Sequence, residues 1–137
     1  SLAHEMLAHA LLSQVSVRPG LRLKGGLAAH QRRHLVEFID SQLAEAISLG
    51  QLAALCALSE YHFARMFRES FGLPPHQYVL ARRLSRAREL LRSTSQPLGE
   101  IALACGFASA SHFTNRFRQA LGGTPGEYRQ ALYNKKA

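Results

Sequence analysis

The stretch from Leu49 to Phe71 constrains the fold most, because a diverged copy returns about fifty residues later, from Leu98 to Leu121. Each copy opens with apolar residues at i, i+3, i+4 and i+7, the pattern of one buried helix face. These residues are Leu49, Leu52, Ala53 and Cys56 in the first copy, and Leu98, Ile101, Ala102 and Cys105 in the second. A short turn and an aromatic-containing second helix follow each time, so the sequence predicts the same helix, turn and helix twice.

The two copies also keep their caps and turns in step. Ser48 and Gln51 are spaced as a capping box, and Ser59 is placed to cap the second helix. The offset between the copies is 49 residues up to Cys105 and 50 from His112 onward, so the second turn is one residue longer. Chance similarity would not preserve this combination, and we predict two tandem helix-turn-helix units.

The second helix of the first copy has two chemically different sides. One side carries Phe63, Met66, Phe67 and Ser70, and the opposite side carries Tyr61, Ala64, Arg65 and Arg68. A helix that buries its phenylalanines and exposes a phenol and two guanidiniums is suited to contact an anionic partner.

The composition fits a helical domain with such a partner. At 137 residues and 47% hydrophobic content, the chain has room for one domain with a real core. No apolar run approaches the roughly 18 residues of a membrane helix, and no signal-peptide pattern is present. The net charge is +8, and most of the basic residues are arginine, which favours phosphate contact.

The cysteines and histidines predict no metal site and no cofactor. Cys56 and Cys105 occupy matching apolar positions, so we interpret them as buried thiols in a reducing compartment rather than a disulfide. His62 and His112 lie near them in sequence, but no zinc module uses that spacing, and the ligands are too few.

The first 26 residues are predicted to be an appendage to the main domain. An apolar stripe predicts an amphipathic helix over residues 1–18, and a linker rich in Pro, Gly and basic residues follows at 19–26. The stripe has three interpretations: a helix capping the main domain, the tail of a missing N-terminal sensor or dimerisation domain, or a dimer seam. We expect the second.

Residues 27–133 are predicted to form the main domain. A helix from about Leu27 to Ala46, with Arg32 and Asp40 on its outward side, precedes the first helix-turn-helix unit at about 48–72. A central helix at about 75–92 joins it to the second unit at about 97–122. Five arginines lie around the central helix and are expected to be mostly solvated: Arg82, Arg83, Arg86, Arg88 and Arg92.

Leu27 to Gln130 resembles the DNA-binding domain of AraC/XylS-type bacterial transcription regulators. The resemblance is carried by LAALCALSEYHFARMF, by RRLSRARELL and above all by PLGEIALACGFASASHFTNRFRQALGGTPGEYR. It implies an all-α fold in which two tandem helix-turn-helix units are joined by a long central helix. It also implies that many members carry a sensor or dimerisation domain that this chain lacks.

The resemblance implies sequence-specific binding of a double-stranded DNA operator, and transcription activation in the cytoplasm, on the nucleoid. RNA polymerase is a candidate partner, and an effector and a dimer contact are expected on the missing domain. The physical argument agrees, since recognition helices on one side of a duplex enter grooves about 34 Å apart. A central helix of eighteen residues spans about 27 Å, which approaches that separation once its neighbours are added.

If the family pattern is carried over, Tyr61, Ala64 and Arg65 of the first unit face the DNA groove. Arg65 is the candidate for a bidentate contact to guanine, Ala64 offers apolar contact only, and Arg68 is expected at a phosphate. In the second unit the groove side carries Ala110, Ser111, His112 and Asn115, with Thr114 and Arg118 toward the backbone. Arg83 matches the family's arginine before the alanine, so the resemblance makes it a candidate to hold the backbone or to brace the two halves.

The second unit departs from the family pattern at Asn115 and Arg116. Many members carry arginine at the first of these positions and an apolar residue at the second, the reverse of this chain. Asn115 is suited to adenine. Arg116 lies at the edge of the buried face, and the alternative for it is a phosphate contact.

Three rival interpretations stay open. The first is that the groove-side residues of the two units are only a solvated face. The second is that the chain is a protein-interaction or nonspecific nucleic-acid-binding module that uses the same basic side. The third is an enzyme, against which the sequence has no nucleophile elbow, glycine-rich phosphate loop or paired carboxylates. Bifunctional repair proteins that contain such a domain need a reactive-cysteine module without counterpart here, so we expect no catalytic residue.

Overall fold

The computed structural model describes residues 26–136, which form seven helices and no strand. The helices are α1 (Ala29–Ser41), α2 (Leu49–Leu55), α3 (Glu60–Phe71), α4 (Pro75–Ser93), α5 (Leu98–Ala104), α6 (Ala110–Leu121) and α7 (Pro125–Lys136). Helices α2 with α3, and α5 with α6, are the predicted helix-turn-helix pairs, so the all-α tandem prediction is confirmed. The helix predicted over residues 1–18 and the linker as far as residue 25 lie outside the described residues.

The described chain divides into two compact units, with the boundary between Arg82 and Arg83 inside α4. The first unit contains α1, α2, α3 and the start of α4, and the second contains the rest of α4 with α5, α6 and α7. Helix α4 is continuous over 19 residues and agrees with the predicted central helix.

The turn inside each helix-turn-helix pair is a Schellman motif. The second residue after the first helix adopts a left-handed conformation: φ is 54° at Ala57 and 83° at Gly106. The next residue donates its N–H five residues back, from Leu58 to the Ala53 carbonyl at 3.1 Å and from Phe107 to the Ala102 carbonyl at 2.9 Å. This bond satisfies a helix-terminal carbonyl and directs an apolar side chain inward, and Phe107 is indeed buried.

A serine begins and a glycine ends the second helix of each pair, and the first of these serines is the predicted cap Ser59. The hydroxyl oxygens of Ser59 and Ser109 accept the N–H groups of His62 and His112, at 3.2 and 3.0 Å. Gly72 and Gly122 close the two helices in left-handed conformations, with φ of 79° and 86°. These caps define where α3 and α6 start and end.

An aromatic cluster forms the core of the first unit. Phe67 stacks on Phe71 at 4.2 Å between ring centroids and meets Tyr78 edge-on at 5.4 Å, and Phe63 lies 5.6 Å from Phe67. Phe63 and Phe67 have no exposed surface and Tyr78 has 1%. Aromatic burial on this scale is the main force that holds α3 in place.

The second unit repeats this core with fewer rings. Phe113 lies between Phe107 and Phe117, at 5.0 and 5.7 Å between centroids, and Phe117 meets Tyr128 of α7 at 5.7 Å. Cys56 and Cys105 are both free and buried, in agreement with the interpretation as small core side chains.

Helix α1 is shorter than predicted, and one of its residues was assigned to the wrong side. It covers Ala29–Ser41 rather than Leu27 to Ala46, because the backbone is extended at Ala28 and turns after Ser41. Arg32 was expected to face outward but is 5% exposed, and its Nη1 donates to the Leu27 carbonyl at 2.6 Å. A long side chain near a helix start can fold back over the preceding segment and donate a hydrogen bond to a carbonyl there. Residue spacing alone does not reveal such a contact.

Candidate nucleic-acid interface

The exposed side of α3, here called the α3 surface, is formed by Tyr61, Ala64, Arg65 and Arg68. Tyr61 is 77% exposed, although it is a large aromatic residue, and both arginines are exposed, with Ala64 half-buried. Phe63 and Phe67 anchor the opposite side in the core, so the predicted residues do share one accessible face of the helix.

The two arginines of the α3 surface are available to a partner. Neither guanidinium has a hydrogen-bond or ion-pair acceptor among residues 26–136. The neighbouring His62 is exposed, its Nδ1 lies 3.4 Å from the Ser59 hydroxyl, and its ring meets Tyr61 edge-on at 6.2 Å. The surface therefore presents two unpaired cations beside a projecting phenol.

The exposed side of α6, here called the α6 surface, is formed by Ser111, His112, Asn115, Arg116 and Arg118. All five side chains are exposed, as is Ala110, whereas Thr114 is half-buried. Phe113 is 0% and Phe117 is 1% exposed on the opposite side. The structure thus brings the predicted residues of the second unit together on one helix.

The α6 surface differs from the α3 surface because its side chains bond to each other. Arg118 donates from Nη2 to the Asn115 amide oxygen at 3.2 Å, three residues earlier on the helix. The Nε of Arg116 lies 3.5 Å from His112 Nε2, four residues earlier. The structure therefore places Arg116 on the exposed side, where it contacts His112.

Three arginines of α4 are less solvated than predicted, whereas Arg86 and Arg92 are exposed as expected. Arg82 forms a bidentate pair with Asp40, with Nε to Oδ1 at 2.9 Å and Nη2 to Oδ2 at 3.2 Å. The prediction was wrong for this residue because its partner lies on α1, far away in sequence. Arg83 is half-buried, and burial lowers its pKa, while Arg88 lies over the Tyr128 ring at 5.6 Å.

Sequence reasoning gave no role to Arg129, which braces the end of α4. Its guanidinium donates to the carbonyls of Leu91 at 3.3 Å, Thr94 at 3.2 Å and Gln96 at 2.6 Å. These carbonyls belong to the last turn of α4 and the segment that follows, where helix carbonyls lack intrahelical partners. The only signal in the sequence was the Tyr-Arg pair that ends the family motif.

Other kinds of site find little support in the described part of the chain. A depression of about 290 Å³ is lined by Leu91, Thr94, Arg129, Leu132 and Tyr133 among others, without a nucleophile and base pair. Residues 26–136 contain no cluster of three His, Cys, Asp or Glu side chains that could hold a metal ion. Within the same range, every helix is too short or too polar to cross a bilayer.

Comparisons with known proteins point in one direction. A family model described as a helix-turn-helix domain matches residues 52–131. The chain is 36% identical over 117 residues to the HTH-type transcriptional activator RhaS of Escherichia fergusonii, and the match covers 85% of this chain and 42% of RhaS. It is 33% identical over 96 residues to the bifunctional transcriptional activator/DNA repair enzyme AdaA of Bacillus subtilis, covering 70% and 46%. The chain therefore spans less than half the length of these relatives.

Solved structures agree. The DNA-binding domain of AdpA, a global transcriptional factor crystallised with a target DNA, is 31% identical and superposes with a TM-score of 0.73 over 76% of this chain and 94% of that one. A transcriptional regulator with an AraC-type DNA-binding domain from Chromobacterium violaceum is 33% identical, with a TM-score of 0.69 over 75% and 92%.

Proposed function

The chain belongs to the AraC/XylS family and is a sequence-specific DNA-binding domain for transcription regulation, and from this premise we propose how it reads its operator. Helix α3 and helix α6 each enter a major groove of the same double-stranded DNA, in successive turns. The major groove is about 12 Å wide and accepts one α-helix.

The observation that carries this proposal is that α3 and α6 have the same kinds of caps, the same aromatic buried side and the same polar exposed side. Each helix is held by a serine cap, a left-handed glycine and buried phenylalanines, three on α3 and two on α6, and each exposes hydrogen-bonding side chains on the other side. A solvated face would also be polar, but a phenol that is 77% exposed beside two arginines favours a contact surface.

On the α3 surface, Arg65 reads a guanine. Its guanidinium has no competing acceptor in the described residues, and two of its N–H groups match the O6 and N7 of guanine. Tyr61 and Ala64 offer apolar contact to neighbouring bases, and Arg68, one turn further along, holds a phosphate.

On the α6 surface, Asn115 reads an adenine, and Ser111 and His112 contact the groove near the capped start of the helix. Arg116 and Arg118 supply positive charge toward the phosphates. The contact of Arg116 with His112 is exposed and weak enough to rearrange on binding.

The wider role rests on the relatives, which are transcription regulators. We propose that the protein is an activator acting on the nucleoid in the cytoplasm, since the relative RhaS is named as one. A domain outside this chain senses the effector and supports a dimer, and RNA polymerase is a further partner. The domain itself acts by binding, without catalysis.

Salt titration with two matched variants tests the proposal against its rivals. On a duplex recovered by selection, Arg65→Ala should lower the preference over a scrambled duplex by about 1–3 kcal/mol. Arg68→Ala should weaken both duplexes alike and reduce the slope of log affinity against log salt by about 1. A nonspecific binder would show the salt slope without any preference, and a protein-interaction module would show neither.

A further inference from the structure

We propose that Arg118 is a positioning residue for base reading, because it fixes the carboxamide of Asn115 in one orientation. The proposal rests on the proposed function and deepens it, since Arg118 there supplied only charge toward the phosphates. Under this proposal, Asn115 and Arg118 act together to read the base that the second helix-turn-helix unit contacts.

The geometry determines which way the amide of Asn115 points. Arg118 Nη2 lies 3.2 Å from Asn115 Oδ1. A guanidinium has five donors and no acceptor, so the amide oxygen must face it. The flipped amide would set its N–H₂ group against the N–H groups of Arg118, and the contact would become repulsive.

The fixed orientation leaves a defined pattern for a base. The amide oxygen keeps one lone pair, and the amide nitrogen of Asn115 keeps both hydrogens. One acceptor beside one donor is the complement of adenine, which presents N6–H₂ and N7 in the major groove. Donation from Arg118 also polarises the amide, which strengthens its remaining N–H donors.

Arg118 has a second neighbour, which does not account for its position. Glu127 lies within electrostatic reach of it, but the Glu127 carboxylate accepts the Thr124 N–H at 3.1 Å in a capping box. The Thr124 N–H and hydroxyl are the main reasons why the pKa of Glu127 is lowered, and the charge of Arg118 adds to them. The start of α7 therefore keeps its cap without Arg118.

The first unit is a built-in control. At the offset of 50 residues, Arg65 and Arg68 occupy the positions of Asn115 and Arg118. Two guanidiniums cannot hydrogen-bond each other, and their charges repel. The same spacing on α3 thus carries no positioning contact, and Arg68 is free to hold a phosphate alone.

The test is a binding profile over single-base-pair variants of a duplex selected with the wild-type chain. The chain variants are Arg118→Ala, Arg118→Lys, Asn115→Ala, the double variant of Asn115→Ala with Arg118→Ala, and Arg68→Ala. Arg118 is exposed, and its contribution to the Gly122 turn is its main-chain carbonyl, so circular dichroism should show every variant folded.

Arg118→Ala should reduce discrimination at the base pair that Asn115→Ala affects, by roughly 2- to 10-fold, the range for one hydrogen bond. The double variant should lose no more discrimination than Asn115→Ala, and Arg118→Lys should restore part of it. Arg68→Ala should weaken all duplexes equally.

If Arg118→Ala instead behaves like Arg68→Ala, with base preference intact and only the salt slope reduced, Arg118 is a phosphate contact and the inference is wrong. A wild-type chain that binds every duplex alike would refute the proposed function itself, and the inference with it. Binding that is sequence-specific but insensitive to Asn115→Ala would overturn the inference and the role of Asn115 as a base contact, but it would leave sequence-specific binding in place.

Discussion

Equivalent residues of the two units do the same structural task with different chemistry, and the clearest case is the turn. Gly106 adopts its left-handed φ of 83° without strain, but Ala57 adopts φ of 54° with a Cβ. The left-handed conformation costs about 1–2 kcal/mol for a residue other than glycine. Ala57 is the one such residue among residues 26–136.

Exchanging these two residues should therefore have opposite effects. Ala57→Gly should raise the free energy of unfolding by about 0.5–1 kcal/mol, because relief of strain exceeds the added entropy of the unfolded chain. Gly106→Ala should lower it by about 1–2 kcal/mol. Urea titrations followed by circular dichroism measure both changes, and a loss of stability in Ala57→Gly would contradict the turn geometry.

Residues whose role depends on the local chain were predictable. Ser48 and Ser59 act through their own helix caps, so their neighbours in sequence decide what they do. Arg32, Arg82 and Arg129 were not predictable, because each long side chain bonds to a partner that spacing does not identify. The Arg118 contact to Asn115 has helical spacing but depends on which rotamers both adopt.

At the scale of elements, a buried phenol packs the start of α4 against α3. Tyr78 packs on Phe67 and Phe71 and lies near the pair of Arg82 with Asp40. Burial raises the pKa of Tyr78 to about 12, an effect that Arg82 opposes and Asp40 supports. The packing of α3 against α4 thus requires the neutral phenol.

This requirement predicts a loss of stability in alkali. A tyrosine in the unfolded chain ionises near pH 10, whereas Tyr78 in the folded chain keeps its proton until about pH 12. The stabilisation is complete below pH 10 and is lost as pH rises to 12, by up to about 2 kcal/mol. Tyr78→Phe should flatten the pH dependence of unfolding in this window.

Tyr133→Phe is the matched control, because Tyr133 is 69% exposed and the change should leave the wild-type profile in place. Burial also raises the pKa of Cys105 to about 11, so some decline starting near pH 9 should persist in Tyr78→Phe. An unchanged profile between pH 10 and 12 in Tyr78→Phe would show that Tyr78 is not responsible.

Helix type and order followed from the sequence because the repeat supplied each pattern twice. The ends of α1 did not, since no strong cap marks them: Ala28 has no side-chain acceptor, and the Gln31 side chain alone accepts its N–H at 2.9 Å. Periodicity continued past Ser41, while the backbone turned. Where the sequence predicted a serine cap, before α2 and α3, the helix starts were confirmed.

At the scale of the whole molecule, the family and the class of function could be predicted from the sequence, because many motif residues occur at the spacings that the family uses. The family match over residues 52–131 confirms that resemblance. The assignment of base-contacting residues stays a prediction, because a helix that reads DNA and a helix that is merely solvated both have an accessible polar face. The net charge of +8 guarantees attraction to DNA but contains no sequence preference.

The most direct test is selection of bound duplexes from a random pool with this chain. If both helices read the duplex, the recovered sites should contain two short motifs about 10–10.5 base pairs apart, centre to centre. Arg65→Ala should erase one motif and Asn115→Ala the other. Recovery of a single motif that depends on only one of these residues, or no enrichment at all, would contradict reading by both helices.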